Sequence, residues 1–335
     1  MPKGIGPHVV DWIYDAMKID GEWSLRERHG FKWWPWALAQ RVWYEGPIKN
    51  RGVNLYRIHA RTDLVKGFPD SDESWALLGV AGAFAMLSGI IRDPEDTSRL
   101  QLASSVWVHE EIAEFMKPML LGVIALQAVE AHRLGPALAQ DGVGELAVSE
   151  HPVGGLREVA DEMLDIVENV FQPAGEETLA LGKDLATAAE VLMELGCFVT
   201  SDESQLAADF SLTGDPISVR IGLGRNEEDL GSSLIQISTD QPHPFLGNGV
   251  LIVGKVGPWL NNPPNLAIEL NEFELSNTLF AHSWGSWCVD QDGGLARITF
   301  VPKALYKSGA LSNLAICAYQ QMKNALEELT SQNVD

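Results

Sequence analysis

LNEFELSNTLFAHSWGSWCVDQDGGLARITF, residues 270–300, reads as an apolar helix followed by two strand-like runs around an Asp- and Gly-rich turn. The turn is Asp290-Gln291-Asp292-Gly293-Gly294, and a closing amphipathic helix carries the pattern to residue 329. The same plan stands earlier in the chain. SDESWALLGVAGA at residues 71–83 supplies the apolar helix, Asp93-Pro94-Glu95-Asp96 the turn, and an amphipathic stretch to residue 131 the closing helix. Residues 71–131 and 269–329 align at a constant offset of 198 without a gap. Identities are few, among them Leu77 with Leu275, Ser88 with Ser286, Arg99 with Arg297 and Glu130 with Glu328. The recurring order of elements therefore makes the case for one small module used twice.

At 335 residues the chain exceeds what one hydrophobic core usually serves, so two domains of roughly 150 residues each are expected. Apolar residues at 46% and charged residues at 21% are ordinary for a globular protein and unlike a disordered one. The net charge of -22 is uneven: residues 1–150 carry 15 Lys/Arg against 20 Asp/Glu, and residues 151–335 carry 9 against 26. The second part stands at -17, a surface that repels phosphate backbones and anionic lipid, so neither nucleic acid nor a membrane surface is an expected partner. Three cysteines, Cys197, Cys288 and Cys317, are too few and too scattered for a disulfide framework, and read as buried thiols in a reducing compartment. The first residues, MPKGIGPHVVDW, lack an apolar core of signal-peptide length, and cytoplasmic location is the expectation. Ser74 to Ile91 runs 18 residues without a charge, but Gly79, Gly82 and Gly89 interrupt it, and a buried helix entering a buried strand is the expected reading.

Along the chain, Val9 to Met17 has the spacing of a short amphipathic helix. Strand-like runs follow at Glu22 to Trp36, Leu38 to Tyr44 and Val53 to Val65, with Gly46-Pro47 and Asn50-Arg51-Gly52 as turn residues, which predicts an antiparallel sheet. The Gly- and Pro-spaced stretch from Leu134 to Gly155 reads as a boundary. Two helices are expected at Leu156 to Phe171 and Glu176 to Leu195, then strands at Cys197 to Thr200, Ala207 to Leu212, Ile217 to Leu223 and Ser233 to Thr239. Val250 to Val253 can pair as a further strand inside the Gly- and Pro-rich segment from Gln241 to Pro264.

The part from about Asp184 to Leu329 resembles the YbjN-like branch of the type III secretion chaperone-like fold. The resemblance is carried by EVLMELG before CFVTSDES, by LNEFELSN where the family shows an Asn-Glu-aromatic helix, and by SWGSWCVDQDGGLARITF before a long final helix. It implies an order of helix, three strands, helix, two strands, helix, and brings no catalytic residues. The expected fold is α+β: two tandem domains, each an antiparallel sheet flanked by helices, packed as an internal pseudo-dimer, in a monomer. Their expected spans are 1–140 for a divergent chaperone-like domain, 141–175 for a linker with a helix, and 176–335 for the clearer chaperone-like domain.

No short motif carries a chemistry of its own. Gly222-Leu223-Gly224 is followed by Arg225-Asn226-Glu227-Glu228-Asp229, whose acids oppose a phosphate, so a hairpin turn is expected. Asp290 opens a calcium-like loop, but the twelfth position is Val301, where that loop needs a bidentate Glu. His109-Glu110-Glu111 lacks a second His at position 113, which is Ala, and reads as a helix start. No Gly-x-Ser-x-Gly elbow occurs, and Cys288 reads as a buried strand residue. No catalytic residue, cofactor or metal is therefore expected.

Eight of the eleven Trp residues precede residue 110, and Trp33, Trp34, Trp36 and Trp43 lie within eleven positions. Consecutive strand residues face opposite sides, so one of Trp33 and Trp34 is expected on the outer face of a sheet, where it can mark a partner site. The favoured reading is a noncatalytic module that binds a polypeptide with basic flanks. The alternative is an enzyme or small-molecule-binding protein with a site between the two domains, using Arg57, His59 or Arg61.

Overall fold

The computed structural model describes residues 4–170, 181–211, 232–243, 246–256, 263–277 and 281–332. The expected strand at Ile217 to Leu223, the Gly222-Leu223-Gly224 turn and the start of the helix expected from Glu176 lie outside the described residues. Two compact units form, one running to Val170 and taking in Ala281–Trp284, the other comprising the rest.

In the first unit the elements are α1 (Ile5–Ala16), β1 (Ser24–Arg26), β2 (Gly30–Trp33), β3 (Gln40–Asn50), β4 (Val53–Lys66), α2 (Asp72–Ala81), β5 (Gly89–Arg92), β6 (Leu100–Val108), α3 (Glu110–Gln140), β7 (Glu145–Leu146) and α4 (Glu162–Val170). The seven-stranded sheet runs β1-β2-β3-β4-β6-β5, with β7 also on β4, and its pairs are antiparallel. Arg51 (φ 48) and Gly52 (φ 86) close the β3–β4 hairpin, the two positive dihedrals that suit a two-residue turn to the strand twist. Gly46-Pro47 is not part of that turn: the register shifts between Glu45 and Ile48, so this pair forms a bulge within β3. Ser71 caps α2 by accepting from the Ser74 amide, with Asp72 and Glu73 in the first turn. The membrane-length run therefore resolves into a capped helix and the buried strand β5. Among the described residues the helix with the length and apolarity of a span is instead α3, and 67% of that window is buried within the protein.

α3 lies on one face of the sheet and is keyed to it by a buried polar network. Gln127 Nε2 donates to Ser88 Oγ (3.0 Å) and Ser104 Oγ (3.2 Å), while Gln40 Nε2 donates to the Ile124 carbonyl (2.9 Å) and to Thr62 Oγ1 (3.0 Å). A satisfied network of this kind fixes the helix against a single register, because a shift would strand several buried polar groups. The residues expected as a linker do not stand apart. Arg157 Nη1 donates to the Trp34 carbonyl (2.8 Å), the Asp161 amide donates to the Pro35 carbonyl (2.7 Å) and Arg133 pairs with Glu168 (3.1 Å), so residues 141–170 pack on the first unit. Gly135-Pro136, read as the approach to a boundary, lies inside α3.

The second unit contains α5 (Gly182–Glu194), β8 (Phe198–Ser201), β9 (Gln205–Ser211), β10 (Ser232–Ser238), β11 (Gly249–Val256), α6 (Pro263–Ser276), β12 (Ser286–Val289), β13 (Leu295–Pro302) and α7 (Ala310–Gln332). Its antiparallel sheet runs β8-β9-β10-β11-β13-β12, the order of the first sheet without β7. Each unit thus follows helix, four strands, helix, two strands, helix. A Cβ at Gly254 would lie 2.2 Å from Met322 Sδ, so the glycine leaves room for the Met322 side chain of α7 against β11.

The constant offset does not survive. Ile90 pairs with Leu102 and Trp287 with Arg297, so equivalent residues stand 197 apart on the first strand of the hairpin and 195 on the second. Loops of different length separate the same elements, and insertions are tolerated where little is buried. Leu102 and Phe300, although both buried, are therefore not equivalent positions.

Candidate functional site

Sequence reasoning placed the candidate partner site at four tryptophans, and the fold separates them. Trp33 ends β2 and is buried, its Nε1 donating to Gln40 Oε1 (2.9 Å). Trp34 is buried too, against the alternation rule, because the strand stops at Trp33 and residues 141–170 cover the next side chain. Its Nε1 donates to Ser149 Oγ (3.1 Å), and its ring meets His151 edge-on at 4.8 Å. Trp36 is 42% exposed and stacks on His132. Trp43 is half-buried on the sheet face opposite α3. Only Trp36 and Trp43 thus reach a surface.

That opposite face is polar in a way the composition did not announce. Along β4 the residues Arg57, His59, Arg61 and Asp63 alternate with Ile58, Ala60, Thr62 and Leu64, which face α3. Trp43 stands directly across from His59 and stacks on it, centroids 4.8 Å apart and 11° between planes. His59 is 5% exposed, with Nε2 3.3 Å from Glu45 Oε2, and its Nδ1 has no hydrogen-bond partner among the described residues. Burial lowers the His59 pKa, Glu45 opposes that shift, and the neighbouring Arg57 and Arg61 add to it. The contact with His59 holds the Glu45 carboxyl down to about 2. Arg57 donates from Nε to Ser105 Oγ (3.0 Å), lies over the Trp107 ring, and is pushed down to about 10 by burial. Beside β6, the Ser283 amide donates to the Ser105 carbonyl (2.9 Å) and Ser283 Oγ accepts from the Ser105 amide (2.8 Å).

Two cavities open on this face. One of about 530 Å³ is lined by Glu27, Arg28, His29, Arg41, Trp43 and Glu45. The other, of about 220 Å³, lies over Lys32, Arg41, Arg61, Asp63, Arg99 and Gln101. The residues weighed for an enzyme, Arg57, His59 and Arg61, therefore share one strand and one face, but only Arg61 lines either cavity.

The second unit concentrates its buried charge elsewhere. Glu274 of α6, 3% exposed, receives Arg297 Nε on Oε1 (2.7 Å) and Nη2 on Oε2 (3.0 Å), while Trp287 Nε1 also donates to Oε1 (2.8 Å). Asn271 Oδ1 accepts from the Trp287 amide (2.8 Å). Asn271 and Glu274 of LNEFELSN thus bind α6 to the β12–β13 hairpin, and the bidentate Glu274–Arg297 pair is a structural lock. Cys288 is buried between Trp287 and Val289 with its thiol pushed up to about 12 by burial, and Cys197 is raised to about 11, the opposite of activation. Asp290 organises its turn by accepting from the Asp292 and Gly294 amides and pairing with Lys255 at 2.8 Å. Among the described residues no group of three or more His, Cys, Asp or Glu side chains is placed to hold a metal ion.

Compared with known proteins, the chain matches no family model, no curated relative and no solved structure.

Proposed function

We propose that this protein is a noncatalytic polypeptide-binding protein built twice on the type III secretion chaperone-like, YbjN-like plan. The observation that supports this reading is the recurrence of one element order and one strand order in both units, with two more strands in the first sheet and one more in the second than the family resemblance implies. The two copies in one chain take the place of two subunits that pair in other members of the family. In the second unit β8 is the terminal strand of the described sheet, and Phe198 on it is 48% exposed, as Met193 of α5 is 52% exposed. An open strand edge with an apolar side chain accepts an extended segment through main-chain hydrogen bonds, while a surrounding acidic surface attracts basic flanks.

Affinity capture from the native host at low and moderate salt, followed by reconstitution with the purified partner, tests the reading. The expected result is a specific polypeptide whose association slows as salt rises and weakens in Phe198→Glu. Recovery of no partner at either salt overturns it.

A further inference from the structure

Lys32 on β2 stands directly across from Arg41 on β3, and Arg41 directly across from Arg61 on β4, all on the face opposite α3. Three cations abreast on neighbouring strands oppose folding, since like charges at directly paired positions repel. The neighbouring acids only partly relieve them. Glu27 Oε2 takes the Arg41 Nε hydrogen (2.8 Å), and Asp63 Oδ2 lies 3.6 Å from Arg99 Nη1. Asp63 Oδ1 and Asp93 Oδ2 both accept from Gln101 Nε2, at 2.9 and 3.3 Å. Arg61 Nε is buried and has no hydrogen-bond partner among the described residues. A guanidinium N–H withdrawn from water and given no acceptor is one that an acceptor arriving from outside can satisfy.

We propose that the Lys32, Arg41 and Arg61 row, in the cavity of about 220 Å³ beside Trp43, binds a small oxyanion: a carboxylate or phosphate group carried by a small molecule. The planar donor fork of arginine matches either group, and the lysine adds a point charge. Trp43 also lines the cavity, with the Arg41 and Arg61 guanidinium groups 5.2 Å and 5.3 Å from its ring centroid. Asp93 and Glu95 also line the cavity, and their charge disfavours a polyanion such as nucleic acid. The site lies wholly within the first unit and is independent of the polypeptide-binding reading.

Calorimetric titration of the full chain with inorganic phosphate and, separately, with succinate tests the proposal. Saturable binding of at least one probe is expected at low ionic strength, weakening as sodium chloride is added, and the probe that binds tells phosphate from carboxylate. Arg61→Gln and Lys32→Gln should each weaken it by about tenfold, and the exposed Glu111→Gln should leave it unchanged. The ligand-free Arg61→Gln protein should melt no lower than the parent, because a like charge has been removed from the row. Absence of saturable binding of either probe to the parent protein overturns the proposal, as does binding undiminished in Lys32→Gln and Arg61→Gln. Should Arg61→Gln fail to fold, Lys32→Gln alone decides the matter.

Discussion

Glu130 sits in α3 and is 7% exposed. Burial lifts its pKa from 4.5 to about 8, only partly countered by the Met86 backbone and the Arg133 charge. The folded protein therefore holds a proton here that the unfolded chain releases above about pH 4.5. Stability from this group is full at acid pH and falls as pH rises toward 8, after which the loss is constant. One pH unit corresponds to about 1.4 kcal/mol, so this carboxyl alone removes about 3 kcal/mol between pH 4.5 and pH 7. Glu130→Gln keeps the shape and abolishes the titration. Denaturant unfolding of both proteins at pH 5 and pH 8 should give a parent that loses stability relative to the variant by several kcal/mol as pH rises. Other titrating groups cancel in that difference. Parallel pH profiles for the two proteins would refute the reasoning, because they would mean that Glu130 ionises alike in the folded and unfolded chain.

Phe300→Ala, at a side chain 2% exposed, should cost about 2 to 5 kcal/mol, read as a lowered melting midpoint of the second unit, whereas substitution of an exposed acid nearby should not. Glu274→Ala strands the Arg297 guanidinium and should cost about 3 to 5 kcal/mol; replacing both partners with apolar residues should cost less, and equal losses in single and double variants would argue against a paired lock. Light scattering should report a monomer of 36.7 kDa, as expected if one chain supplies both copies, and a stable dimer would count against that arrangement.

The duplication was legible because helix and strand periods persist when side-chain identity drifts: LNEFELSN and SDESWALL both resolve into helices that precede a two-stranded hairpin. Register was not legible, since the loops around the hairpins differ in length and only paired strands reveal which residues correspond. β1, three residues long, is too short to show a period of its own, whereas β8 was legible from the turn residues around Cys197 to Thr200. Gly135 and Pro136 looked like a break, yet tertiary packing carries α3 through them to Gln140. Trp34 was assigned by strand alternation, and the rule failed one residue past the end of its strand. The cation row escaped notice for a related reason: Lys32, Arg41 and Arg61 are scattered in sequence and become neighbours only through the pairing of β2, β3 and β4.

The β3–β4 hairpin closes at Arg51-Gly52, and its last residues, Glu45 to Asn54, are exposed apart from the paired backbone. Its side chains are exposed, so apart from Gly46 and the Arg51-Gly52 turn, which need positive dihedrals, its sequence escapes the packing constraints that bind the rest of the sheet. A fluorophore or short epitope inserted between Arg51 and Gly52 would ride on a stiff two-stranded arm anchored beside Trp43. From there it could report on events at that face without disturbing the residues that form it.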